Sequence, residues 1–204
     1  MDIWYASYGS NLMKDRFLAY IYGGRPPGSN QSEQGCRDKT APKESERIDI
    51  PFPLYFSKER SKWGEGGVAF IGTDASSEEK TIGRMYLITE EQFYDVVSQE
   101  NNGLQVELDL MEIERKGYVD IHHGWYNRMV YLGKRDGAPI FTFTSSLPIN
   151  HVTFTKPSVA YLSVIAFGLM ELGLGEDEIV DYLMAKEGIQ EEFTKASLRK
   201  YIRK

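Results

Sequence analysis

Strand-like and helix-like periods are segregated along this chain, and that segregation limits the folds open to it. Up to about residue 144 the apolar segments are short: "IWYASY" (Ile3 to Tyr8), "FPLYFS", "GGVAFIGTD", "TIGRMYLIT" and "MVYLGKRDGAPIFTFTS". They are rich in aromatic and β-branched residues and are bounded by turn formers, as strands are. From Pro157 onward the spacing is helical. "SVAYLSVIAFGLMELG" stops at Gly173, "GEDEIVDYLMAKEG" starts acidic and stops at Gly188, and a basic segment, "KASLRKYIRK", closes the chain. A repeating strand–helix–strand fold would interleave the two periods throughout. The class is therefore α+β, with helices appended after the strands and no internal repeat.

Local signals place several elements. "TEEQFYDVVSQEN" is a helix with Phe93, Val96 and Val97 on one side. Thr89 is its N-cap, Gln92 completes a capping box, and Glu90 and Glu91 suit the first turn. Asp136-Gly137 marks the turn of a hairpin. "LQVELDLMEI" alternates in part, as a strand does. The first strand gives way at Gly9-Ser10-Asn11 to a helix, "NLMKDRFLAYIYGG", for which Ser10 or Asn11 is the expected N-cap. Residues 24–50 are polar, broken by Pro and Gly, and show no period. A loop this long inside a folded domain reads as a lid, a binding loop or a mobile insert.

The 24 Lys and Arg against 30 Asp and Glu give a net charge of −6. A nucleic-acid binder shows a basic balance or stripe, and the basic C-terminal segment reads instead as a solvated helix face that complements the helix dipole. The single cysteine, Cys36, admits no intramolecular disulfide and no multi-thiolate zinc site. No basic-then-apolar leader stands at the N-terminus, and no apolar run approaches the ~20 residues of a membrane span. The expectation is a cytoplasmic chain without membrane or nucleic-acid partners; assembly as a homodimer stays open.

Three motifs have modest readings. Gly64-Glu65-Gly66-Gly67-Val68-Ala69 has the spacing of a dinucleotide fingerprint, but its glycines lead into a strand and not into the helix that binds a pyrophosphate. His122 and His123 are neighbours, which on a strand point to opposite faces, so joint metal ligation is disfavoured. Ser10 after Gly9 invites a nucleophile reading, but the glycine two residues beyond the serine of a nucleophile elbow is missing. Glu100 stands at the end of a helix, the negative end of its dipole. A carboxylate there is slightly disfavoured as an anion, which suits a group that must take and return a proton.

"YGSNL" (Tyr8 to Leu12), "GGVAFI" (Gly66 to Ile71), "GRMYLIT" (Gly83 to Thr89), "QE" (Gln99-Glu100) and "YLGKRDGAPI" (Tyr131 to Ile140) together resemble the γ-glutamylcyclotransferase-like proteins, from about Ile3 to about Pro148. The resemblance implies a small mixed β-barrel with helices outside it. It implies that Tyr8, Gly9, Ser10, Asn11 and Leu12 cradle the γ-glutamyl portion of a small-molecule substrate, and that Glu100 is the acid/base. Gly66, Gly67 and Tyr86 are expected pocket neighbours. The reaction implied is cyclisation of a γ-glutamyl amide to 5-oxoproline with release of an amine or amino acid, which calls for no metal and no organic cofactor.

The domain expected from this reading spans residues 1–156 with the polar insert 24–50, and residues 157–204 form a helical C-terminal extension packed on it. Asn101 stands where members of the family often have glycine. Two other readings stay open. One is a non-catalytic ligand-binding or interaction protein that keeps the cavity; a weaker one is a Ser10-dependent amidase.

Overall fold

A central strand, β1 (Asp2–Ser7), organises the computed structural model, which describes residues 1–26, 29, 31–104, 106–121 and 124–203. In chain order there follow α1 (Lys14–Tyr22), β2 (Glu44–Ile50), β3 (Leu54–Ser57), β4 (Arg60–Ser61), β5 (Gly64–Glu65), β6 (Val68–Ile71) and β7 (Thr81–Thr89). Then come α2 (Glu90–Glu100), α3 (Leu110–Lys116), β8 (Tyr118–Asp120), β9 (Arg128–Arg135), β10 (Ala138–Thr144), α4 (Val159–Glu171), α5 (Glu176–Met184) and α6 (Lys195–Ile202). The class is α+β, with a six-stranded mixed sheet in the order β2-β7-β1-β10-β9-β8.

β1 runs antiparallel to β7 and parallel to β10, with Trp4 opposite Leu87 on one side and Ile140 on the other. A strand in the middle of a covered sheet is buried on both faces, which is why "IWYAS" is almost continuously apolar. Its side chains alternate between two cores. Ile3 and Tyr5 pack with Phe17, Phe93 and Ile113 from α1, α2 and α3. Trp4 and Ala6 pack with Leu162, Ile179 and Leu198 from α4, α5 and α6, and with the β3-β6 ladder. The two sets of helices thus cover opposite faces of the sheet.

Among the described residues no ladder closes the sheet into a barrel; β6 meets it through a side chain. The Thr144 hydroxyl, at the end of β10, donates to the Ile71 carbonyl at 2.7 Å and accepts from the Ile71 N–H at 3.0 Å.

Local signals produce the elements they specify. Thr89 caps α2 with the full reciprocal capping box, and Asp136 and Gly137 turn β9 into β10 at φ 51° and 82°, the left-handed pair a type I′ turn requires. The glycines before β6 lead into a strand. The basic face of α6 meets the acidic first turn of α5, with Arg203 2.6 Å from Glu176.

Three expectations are corrected. The stretch 24–50 is not without period, because residues 44–50 form β2, paired along β7 from Glu44–Leu87 to Ile50–Thr81. β2 is an edge strand, largely exposed and charged, so its sequence lacks the apolar alternation by which strands are recognised. The partial alternation before residue 113 ends in helix α3, capped by Asp109, which accepts from the Glu112 N–H, and closed by Gly117 in the left-handed region. Ser10 and Asn11 do not cap α1. They lie in a 3-10 turn, Ser10–Leu12, and α1 starts at Lys14, whose N–H donates to Glu171 Oε2 of α4 at 2.9 Å.

Candidate active site

The turn after β1 and the end of α2 meet in a cavity of about 430 Å³. α2 stops at Glu100 because Asn102 and Gly103 adopt left-handed backbone, φ 58° and 80°. The Glu100 carboxylate, half-buried, accepts from Asn11 Nδ2 at 3.1 Å, and the same Asn11 nitrogen lies 3.5 Å from the Tyr5 hydroxyl. Among the described residues Asn11 Oδ1 is buried without a partner. A 3-10 turn leaves its first N–H groups without partners inside it, so the turn brings backbone donors to the cavity wall near a carboxylate.

The structure fixes that turn from three sides. Tyr86 on β7 donates its hydroxyl to the Asn11 carbonyl at 2.8 Å and stacks its ring on Phe17, 3.9 Å between centroids. Tyr8 donates to the Phe143 carbonyl at 2.7 Å. Beneath, α4 approaches so closely that a Cβ on Gly168 would lie 2.5 Å from the Leu12 carbonyl carbon. A Cβ on Gly9 would lie 2.9 Å from the Tyr161 hydroxyl. The absence of a side chain at Gly9 leaves room for the Tyr161 hydroxyl.

Of the residues singled out from sequence, Tyr8, Gly9, Ser10, Asn11 and Glu100 line the cavity. Leu12 and Tyr86 do not; Leu12 ends the turn with its side chain in the core, and Tyr86 is a core residue that braces the turn from behind. Gly66 and Gly67 do not line it either. A Cβ on Gly67 would meet the Thr155 carbonyl at 2.2 Å, and one on Gly66 the Ser158 nitrogen at 2.7 Å. Their role is close backbone packing against the entry to α4. Among the described residues Ser10 makes no side-chain hydrogen bond to a base. His122 and His123 lie outside the described residues, and among the described ones no group of three His, Cys, Asp or Glu side chains converges as a metal site.

Several lining residues were not legible in the sequence. Tyr161, from α4, accepts from the Ala69 N–H at 3.1 Å, and Tyr126 donates to the Ala69 carbonyl at 3.1 Å. Trp63 and Lys62, beside the β4-β5 ladder, and Glu33, in the polar stretch before β2, close another side. Burial holds the hydroxyls of Tyr5, Tyr20, Tyr126 and Tyr161 far above the ordinary phenol range, and the charge of Glu100 adds to the effect at each. They stay neutral donors and acceptors around one carboxylate.

A solved structure of a gamma-glutamyl cyclotransferase superposes with a TM-score of 0.52 at 18% identity, covering 98% of this chain and 99% of that one. The chain has a gamma-glutamyl cyclotransferase-like fold. An uncharacterised protein from Homo sapiens superposes with a TM-score of 0.50 at 19% identity, covering 98% of each chain. In sequence the chain is 38% identical over 201 residues to histone deacetylase 5 of Arabidopsis thaliana, covering 90% of this chain. It spans 30% of that protein's length. No family model matches the chain. Among the described residues no helix is long and apolar enough to cross a membrane.

Proposed function

We propose that this protein is a γ-glutamylcyclotransferase-like enzyme that converts a γ-glutamyl amide into 5-oxoproline and a free amine, with Glu100 as acid/base. The observation that carries the reading is the 3.1 Å hydrogen bond from Asn11 to Glu100, which joins the early turn to the end of α2 inside one cavity.

A γ-glutamyl amide carries an α-carboxylate, an α-ammonium and a γ-carbonyl. In this reading the α-carboxylate lies against the backbone N–H groups of the turn at Ser10 and Asn11, a concavity of donors. The α-ammonium faces Glu100, which takes a proton from it. The freed amine attacks the γ-carbonyl carbon, a C–N bond forms, and a five-membered lactam closes. The amide C–N bond then breaks as Glu100 returns a proton to the leaving nitrogen, and the second proton on the ring nitrogen passes to the departing amine, which leaves as an ammonium. Protons balance within the cycle, and no water is consumed. Folding the substrate so that amine and carbonyl meet supplies proximity, and the single carboxylate serves both transfers. Residues 1–156 carry the chemistry, and α4 of the C-terminal part braces the turn.

The test is incubation with a mixed panel of γ-glutamyl dipeptides and γ-glutamyl amines, with 5-oxoproline detected by mass. Glu100→Gln nearly keeps the shape and cannot cycle a proton, so its kcat is expected to fall by about 10²–10⁴ while binding persists. A parent that binds γ-glutamyl compounds without turning any over, or a fully active Glu100→Gln, overturns the proposal.

A further inference from the structure

Glu100 and the early turn account for only part of the cavity wall. A γ-glutamyl head group fills only part of its volume of about 430 Å³, which is enough to bury a drug-sized ligand. Trp63, in the turn between β4 and β5, and Trp125, from the segment before β9, both line the cavity, together with Tyr126 and Tyr161. Trp125 is 42% exposed. An indole at the edge of a cavity leaves apolar surface in water that a ligand ring can cover. Each indole has a cation at its ring, Arg16 at 4.4 Å from the Trp63 centroid and Lys58 at 5.6 Å from that of Trp125. Such contacts hold a ring in place, and both rings still border the cavity.

The backbone around Trp125 is held from behind. Asn101, the residue after Glu100, is buried. Its Nδ2 donates to the Val97 carbonyl at 3.1 Å and to the Tyr126 carbonyl at 3.4 Å. Gly124, at φ 91°, packs its backbone against the same side chain, where a Cβ would lie 1.9 Å from Asn101 Oδ1. One side chain thus joins the end of α2 to both neighbours of Trp125. The charges along the wall are already engaged. Among the described lining residues Lys62 is the one cation, and its Nζ donates to Glu33 Oε1 at 3.0 Å and to the Tyr20 hydroxyl at 2.5 Å. The same Glu33 oxygen accepts from Arg16 Nη2 at 3.2 Å. A carboxylate bound here would have to take Lys62 from Glu33, and an ammonium would compete with two cations for Glu33.

We infer that Trp63 and Trp125 form a subsite for the leaving portion of the substrate, and that this portion is an amine bearing a flat aromatic ring and no further charge. The inference rests on the cyclotransferase reading of Glu100 and names the substrate class of that site. Aromatic rings gain from each other beyond the apolar area that a saturated group of the same size also buries. Asn101 is a positioning residue for the subsite, because it fixes the backbone on either side of Trp125 relative to the helix that carries Glu100. The ring of the leaving portion and the proton it must receive are thereby referred to one helix end.

The experiment measures 5-oxoproline release from a matched set of γ-glutamyl probes: the ethylamide, the phenethylamide, the cyclohexylethylamide and the phenylalanine derivative. The phenethylamide is expected to show a kcat/KM at least about tenfold above the ethylamide, from burial of the ring. It should exceed the cyclohexylethylamide by about 2–10-fold, the aromatic gain beyond area. The phenylalanine derivative is expected to fall below it, because its carboxylate meets an engaged Lys62. Trp125→Ala is expected to lower the phenethylamide-to-ethylamide ratio about tenfold, and Trp125→Phe to keep most of it. Asn101→Gly lowers the same ratio while leaving both indoles in the chain. Loss of folded protein lowers both rates alike and leaves the ratio unmoved. Calorimetric titration of Glu100→Gln with the ethylamide and the phenethylamide reads binding apart from chemistry. Equal turnover of these two by the wild type, or a ratio unmoved in Trp125→Ala, overturns the subsite and leaves the reaction standing. A preference for the phenylalanine derivative overturns the uncharged assignment. Tighter binding of the phenethylamide by a protein that releases no 5-oxoproline upholds the subsite and overturns the reaction, and binding of neither probe overturns both.

Discussion

Replacing Gly168 by alanine tests how the early turn is held. At an exposed position inside a helix this change stabilises by about 1 kcal/mol, because glycine is the costlier helix residue. Gly168 is instead pressed against the turn. Its added Cβ would lie 2.5 Å from the Leu12 carbonyl carbon, 2.6 Å from Leu12 Cβ and 2.6 Å from the Met13 nitrogen. Two of those atoms are backbone. They cannot swing away as a side-chain tip does, because Leu12 N–H is bonded to the Gly9 carbonyl and the Asn11 carbonyl to Tyr86. Overpacking a dense core costs about 1–3 kcal/mol, so the clash outweighs the propensity gain. A net loss of up to about 2 kcal/mol corresponds to a Tm lower by up to about 4–8 °C for a chain of this size. Relief of the clash shifts Asn11 relative to Glu100, and misplacement by about 1 Å costs on the order of 10²-fold in turnover. Differential scanning calorimetry and the 5-oxoproline assay read the two effects separately. A Gly168→Ala protein that melts higher than the parent would show that α4 and the turn do not pack as described, and the reasoning would fail.

Two further expectations concern stability. Glu171→Ala removes the counter-ion of Arg84, 3.0 Å away and nearly buried, together with the acceptor for the Lys14 N–H. Leaving such a cation unpaired costs about 3 kcal/mol, held to the low end because Glu171 is partly exposed; a urea midpoint unchanged from the parent at the same m-value would count against it. The second is alkaline lability. Burial pushes the Cys36 thiol up to about 12 and raises the Tyr5, Tyr8 and Tyr20 hydroxyls well above their usual range. In the unfolded chain these groups ionise near about 8.5 and 10. Their contribution is therefore complete below about pH 8.5 and is lost as the pH rises towards 12. Urea unfolding between pH 8 and 11 checks the trend, and a stability flat across that range is the contrary result.

The candidate site was legible only as two separate pieces. "YGSNL" and Glu100 are recognisable in the sequence by resemblance, and the fold sets Tyr8, Gly9, Ser10, Asn11 and Glu100 in one cavity. The glycines at 66 and 67 show why such reading has a limit. A glycine that lets a ligand approach and a glycine that lets backbone pack look the same in a sequence, and these two serve packing against residues 155–158. Glu33, Lys62 and Tyr161 carried no signal at all. Each is an ordinary residue of a helix, loop or turn until the fold brings it to the cavity.

By itself the sequence determined what neighbours a few residues apart can settle. The Thr89–Gln92 capping box, the Asp136-Gly137 turn and the aromatic-rich apolar run of β1 each depend on chemistry within one turn or one strand. Tertiary structure alone decided the rest. β2 is a strand because β7 offers it a ladder, not because its charged side chains favour one. α1 begins at Lys14 because a carboxylate 157 positions further on receives its first N–H. Those partners are distant in sequence and their bonding groups are common to every residue of their type, so only the packed chain could select them.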